Sequence, residues 1–96
     1  MLPAAPSNVK IAPLQSIYNV GDELTCTADG IPPPTYRWKD LTTGILFQVQ
    51  ELTIKKSFMT RDEVHLECTA TNGIAGFVST TSRNITFRVE FLGERV

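Results

Sequence analysis

Ninety-six residues, 42 % hydrophobic and 20 % charged, describe one globular domain with a limited core, too apolar to remain disordered. Nine basic and ten acidic residues leave a formal net charge of −1, which gives no general attraction to nucleic acid or to an anionic membrane. No apolar run approaches the ~20 residues that cross a bilayer. The start, Met1 to Pro6, has neither the basic nor the apolar region of a signal peptide. Two origins fit: a cytosolic protein, or a piece of a longer exported chain with Met1 added.

In chain order, Pro6 to Pro13 alternates weakly around Val9 and Ile11 and reads as a first edge strand, since proline lacks the N–H an inner strand needs. Leu14 to Tyr18 continues it on a shifted path before a turn at Asn19-Val20-Gly21-Asp22. Leu24, Cys26 and Ala28 then share one face, the period-2 pattern of a half-buried strand that should stop at Asp29-Gly30 and the three prolines. Tyr36 and Trp38 alternate with Arg37 and Lys39 in a second core strand. Asp40 to Gly44 reads as a turn, Ile45 to Val49 as a short strand, and Leu52 and Ile54 as the inward side of another. After a turn from Ser57 to Glu63 comes the cleanest alternation in the chain, Val64, Leu66, Cys68 and Ala70 inward, with His65, Glu67 and Thr69 outward. Asn72 to Gly76 reads as a glycine-rich hairpin loop. The last strand points Ile85, Phe87, Val89 and Phe91 inward and Asn84, Thr86, Arg88 and Glu90 outward. No window holds a 3.6-residue apolar stripe, so essentially no helix is expected. About seven short strands predict an all-β, antiparallel two-sheet sandwich in a single domain spanning 1–96, with its core over about 6–92.

Cys26 and Cys68 are the only cysteines, both on inward positions and 42 residues apart. Two inward cysteines on opposed sheets satisfy the ~5.5 Å Cα separation of a disulfide, and in the chain-entropy model such a loop stabilises by about 4 kcal/mol. Two buried free thiols, as in a cytosolic sandwich, are the alternative. We adopt the bridge because a core this small gains so much from it.

These residues resemble the immunoglobulin superfamily. Cys26 takes the place of the strand B cysteine, Trp38 of the strand C core tryptophan, and Cys68 of the strand F cysteine. Ala28-Asp29-Gly30-Ile31-Pro32-Pro33-Pro34 leading to Trp38 is similar to the B–C region of adhesion-type domains. Leu52-Thr53-Ile54 resembles strand E, and Asp62 with Cys68-Thr69-Ala70-Thr71-Asn72 resembles the E–F turn and strand F. The short span from Trp38 to Leu52 resembles the C2 set, with sheets A-B-E and C′-C-F-G. An intermediate-set domain is the nearest rival, because Leu14 to Tyr18 fits an A′ strand. Two departures stand out: Leu66 replaces the tyrosine that pins the E–F corner, and the turn after strand F is one residue longer, reaching Gly76.

The resemblance implies a non-catalytic extracellular domain of a cell-surface or secreted protein. Its work would be protein–protein recognition and cell adhesion, homophilic or heterophilic, or service as a spacer in a multidomain receptor array. One rival is a cytosolic structural domain of the muscle-filament kind with reduced cysteines. A second is a sialic-acid-binding lectin domain, whose sites usually lie on longer V-set domains. No catalytic residues are assigned: the single histidine, His65, is expected outward, and no context joins it to Ser57 or Ser79. No cofactor and no metal are expected, since bridged cysteines cannot be thiolate ligands. Asn84-Ile85-Thr86 is the only N-glycosylation sequon, with Asn84 facing solvent. Four residues are candidate partner contacts. Arg37 and Lys39 lie on the C–F face, where mixed charge also serves simple solvation. Ile74 and Phe77 lie at the hairpin tip, with Pro32 to Pro34 expected at the opposite end.

Overall fold

Strands with one apolar face must bury it against a second layer, and this chain does so as two sheets. The computed structural model describes the backbone of residues 4–60, 63–74 and 77–90, and the side chains of these residues except at 59, 60, 74 and 77–79. Three strands, β1 (Ala4–Ala12), β3 (Glu23–Ile31) and β6 (Glu51–Thr53), form one sheet in the order β1-β3-β6. Five strands, β2 (Ile17–Asn19), β4 (Thr35–Asp40), β5 (Leu46–Phe47), β7 (Val64–Ile74) and β8 (Phe77–Glu90), form the other in the order β2-β8-β7-β4-β5. Every pairing is antiparallel except that of β2 with β8, where Ile17, Tyr18 and Asn19 run alongside Arg88, Val89 and Glu90. The expected all-β sandwich is therefore present, with eight strands among the described residues.

Alternation in the sequence becomes burial. Leu24 and Cys26 of β3, Trp38 of β4, Leu52 and Ile54 at β6, Val64, Leu66, Cys68 and Ala70 of β7, and Ile85 and Phe87 of β8 all lie in one core between the sheets. Val89 is only partly buried, and Phe91 lies outside the described residues.

Several boundaries differ from the sequence reading, each for a local reason. The chain crosses from one sheet to the other between β1 and β2, and Tyr18 fixes the crossing. Its ring is fully buried, edge-on to Phe87 at 4.7 Å between centroids. Its hydroxyl donates to the Pro13 carbonyl and accepts from the Gln15 N–H. β3 continues through Asp29-Gly30 to Ile31, because β1 supplies partners for it: Ser7 pairs with Asp29 and Ala4 with Ile31. The register shifts twice on the way, and Asn8 sits within the second shift, between Ser7 and Lys10, at φ 55°, a left-handed conformation that asparagine tolerates. Its side chain donates to Asp29 at 2.9 Å, tying the irregular part of β1 to β3.

The expected strand over Ile45 to Val49 is only the two-residue β5, and Asp40 is the buried end of β4 rather than a surface turn residue. Its Oδ1 accepts from the N–H groups of Thr42 and Thr43, while Gly44, at φ 82°, donates to the Asp40 carbonyl at 2.7 Å. An acidic residue is affordable there because it satisfies turn donors that would otherwise be orphaned. The expected turn after Ser57 begins as a 3-10 helix, Lys56–Thr60, which plants Phe58 in the core. The place of Asp62 lies outside the described residues. Asn72 and Gly73 are strand, not loop: β7 and β8 stay paired out to Ile74 and Phe77. Residues 75 and 76, including the longer turn at Gly76, are outside the described residues.

Candidate functional site

At the centre of the molecule Cys26 and Cys68 are joined by a disulfide with Cα atoms 6.5 Å apart, linking β3 of one sheet to β7 of the other. Trp38 lies beside Cys68 in register and is fully buried. Its indole N–H donates to the Gln50 carbonyl at 3.1 Å. Gln50 also donates from its side chain to the Cys26 carbonyl at 2.9 Å and accepts the Cys26 N–H at 3.2 Å. A single residue thus satisfies the tryptophan and extends the β3–β6 pairing at the bridge. No pattern in the sequence marked Gln50, since it sits in an irregular stretch between two short strands.

The opposite side of the five-stranded sheet is the broadest polar face. Register places Leu46, Lys39, Glu67 and Asn84 in one row across β5, β4, β7 and β8. A second row holds Arg37, Thr69 and Ser82, and a third Thr35, Thr71 and Thr80. Arg37 is exposed and Lys39 half-buried, so the structure brings these two predicted contacts together on β4. His65 also lies on this face, its Nδ1 3.0 Å from the Thr86 hydroxyl and its Nε2 3.7 Å from a Glu63 carboxylate oxygen. Thr86 is the cross-strand partner of His65 on β8 and Glu63 immediately precedes β7, so both contacts lie on an exposed surface. Among the described residues no group of three or more His, Cys, Asp or Glu is placed to hold a metal ion.

Lys39 and Arg37 border an apolar patch that the sequence reading did not single out. Leu41, Ile45, Leu46 and Val49 are each 41–55 % exposed and fall within nine consecutive positions around the β4–β5 turn. The available signal was a run of apolar residues without strict alternation, which leaves some of them no inward position. Next to it, where the sheet edges β5 and β6 part, a pocket of about 290 Å³ is lined by Phe47, Val49, Leu52 and the stem of Lys55, among others. The Lys55 ammonium lies 5.5 Å from the Phe47 ring centroid, a cation–π contact at the pocket mouth.

The other two predicted contacts, Ile74 and Phe77, have side chains outside the described ones. Their backbones pair with each other at the far end of the β7–β8 hairpin. Ile74 is five residues beyond Thr69, the neighbour of Arg37, or roughly 17 Å along the strand. The hairpin tip and the Arg37–Lys39 face are therefore separate places. One expectation fails outright: Pro32 to Pro34 is not at the opposite end from the hairpin. Asn72 donates from Nδ2 to the Ala4 carbonyl at 2.8 Å and to the Pro32 carbonyl at 3.0 Å, which puts the β3–β4 loop, the start of β1 and the hairpin at one pole. β3 and β7 end at the same pole, in opposed sheets.

No protein-family model matches the chain, and no curated protein matches it in sequence.

Proposed function

We propose that this chain is an immunoglobulin-like domain of a cell-surface or secreted protein that acts by non-covalent recognition or as a spacer among neighbouring domains. The observation that carries the reading is the Cys26–Cys68 bridge closed against a buried Trp38 between two sheets. Disulfides persist in oxidising compartments, and a domain of this size draws a large share of its stability from one. The parallel pairing of β2 with β8 supports an intermediate-set arrangement over a C2-set one. Partner contact is assigned to the β4–β5 half of the five-stranded sheet. There Arg37 and Lys39 border exposed Leu41, Ile45 and Leu46, a mixture of apolar surface and cations that fits a protein surface with apolar and acidic groups.

The first test is intact mass of protein from its native source, alkylated with and without prior reduction. Alkylation of both cysteines without reductant would sink the extracellular reading and favour the cytosolic structural alternative. The second test follows the contact face. Arg37→Glu with Lys39→Glu should abolish capture of a partner identified for the wild-type domain, with the fold intact by circular dichroism. Undiminished capture moves the contact elsewhere.

A further inference from the structure

β8 is paired on one side along most of its length but on the other side almost nowhere. β7 accompanies it from Phe77 to Phe87, whereas β2 meets it only at Arg88, Val89 and Glu90. Among the described residues no strand is hydrogen-bonded to the outer edge of β8 between Phe77 and Phe87, although β1 of the other sheet passes nearby. That edge, unpaired although β1 flanks it, reads Phe77-Val78-Ser79-Thr80-Thr81-Ser82-Arg83-Asn84-Ile85-Thr86-Phe87: rich in β-branched residues, without proline, and carrying one charge. Such an edge is a template for pairing with another chain unless something blunts it.

The residue placed to blunt it is Asn84. Its side chain is exposed on the outer face of β8, opposite Glu67 of β7 and two residues from Ser82 and Thr86 along its own strand. None of these neighbours is a bulky apolar side chain, and no described side chain hydrogen-bonds the Asn84 carboxamide. Asn84-Ile85-Thr86 is also the sequon. We propose that Asn84 carries an N-linked oligosaccharide and that this glycan shields the unpaired edge of β8 from strand-to-strand association. The proposal rests on the extracellular reading above.

The donor is a polyprenyl-pyrophosphate-linked oligosaccharide of the secretory pathway. The Asn84 amide nitrogen bonds to C1 of the reducing sugar, the bond from C1 to the pyrophosphate oxygen breaks, and the polyprenyl pyrophosphate leaves. One amide proton passes to base, and no oxidation or reduction occurs.

The test uses the whole chain fused to a cleavable export signal and secreted from eukaryotic cells, compared with Asn84→Gln, Thr86→Ala and Thr86→Ser. The wild type and Thr86→Ser should lose one glycan mass on treatment with a peptide N-glycosidase, which leaves aspartate at the site. Asn84→Gln and Thr86→Ala should show no loss. Both bare variants, and the enzymatically deglycosylated wild type, should aggregate several-fold faster at equal concentration. Secreted wild type with a closed disulfide and a bare Asn84 overturns the proposal while leaving the extracellular reading in place. Free thiols in the protein from its native source overturn both. Equal aggregation with and without the glycan overturns the shielding role.

Discussion

Asn72 holds one pole of the sandwich together with an amide that donates twice, and replacing it with aspartate reverses the chemistry without changing the shape. The Asn72 side chain is 4 % exposed, with Nδ2 donating to the carbonyls of Ala4 and Pro32, while no described group hydrogen-bonds its Oδ1. In Asn72→Asp an ionised carboxylate faces two carbonyl oxygens across about the same distances, and both donated bonds are gone. An uncompensated buried charge of this kind costs about 3–5 kcal/mol. For a domain whose whole stability is of the order of 5–14 kcal/mol, that is a large but measurable loss. With a urea slope of about 1.5 kcal/mol per molar, the midpoint should fall by about 2–3 M at pH 7. The introduced carboxyl is harder to ionise in the folded state, so its folded pKa lies above the unfolded value near 4. The penalty is therefore absent below about pH 4, grows as pH rises toward the folded pKa, and is full above it. What remains at low pH is one lost donated bond, about 1–2 kcal/mol, because a protonated carboxyl donates once. Urea unfolding of both proteins at several pH values reads the difference directly. A penalty that is the same at pH 4 and pH 7, or below about 1 kcal/mol at pH 7, would refute the assigned role of Asn72.

Three further perturbations have defined outcomes. Reduction and alkylation, or Cys26→Ala with Cys68→Ala, removes a crosslink over 42 residues and should lower unfolding stability by about 4 kcal/mol; a loss under about 1 kcal/mol in urea unfolding contradicts the loop-closure argument. Tyr18 has its pKa raised above 10.0, chiefly by burial and further by Asp22, against a lowering by the Gln15 N–H. Its contribution is thus complete below pH 10 and declines as pH climbs above that toward the folded pKa. Tyr18→Phe should cost about 1–3 kcal/mol at neutral pH, by leaving the Pro13 and Gln15 groups unpaired, and flatten the alkaline decline; identical alkaline profiles count against it. Gly30→Ala places a Cβ 3.0 Å from Pro34 Cγ and 3.1 Å from Asn72 Nδ2, and should lower the melting temperature by several degrees through about 1–2 kcal/mol of strain. An unchanged melting temperature means the pole gives way more easily than the packing implies.

The sandwich was legible because its signal is periodic and redundant. Val64, Leu66, Cys68 and Ala70 report the same face four times over, so the inward side of β7 was fixed before any contact was known. The crossing of the first edge strand was legible only as a shift near Leu14, since the partner that stabilises β2 lies about seventy residues away in β8. Asp40, Gln50 and Asn72 were misread or missed for a shared reason. Each is a polar residue whose role depends on hydrogen bonds to backbone groups remote in sequence or confined to one turn, and no periodicity encodes that. The contact patch was missed for the opposite reason. Leu41, Ile45 and Leu46 have the composition of core residues, but Leu41 and Ile45 lie in the connection between β4 and β5, and Leu46 takes the outward side of β5 opposite Lys39. Which pole each loop occupies is a property of topology, so Pro32 could not be put beside Asn72 by reading residues in order.

The two proposals divide a single face, and the register makes the division testable. Leu46, Lys39, Glu67 and Asn84 share one row, so the apolar patch and the glycan acceptor are separated by three strand spacings, roughly 14 Å. A glycan rooted on β8 covers the β7–β8 half, where the surface is hydroxyl-rich and offers few anchors. The β4–β5 half keeps the arginine, the lysine and the exposed leucines, the groups that fill pockets and pair with carboxylates. A partner seated on β4 and β5 should then be indifferent to the glycan. Its affinity should fall at least tenfold with Leu46→Glu and stay within about twofold for Asn84→Gln, a difference of at least about 1 kcal/mol between the two variants. If Asn84→Gln tightens binding instead, the contact reaches across β7 onto β8, and the glycan limits recognition as well as association of the edge.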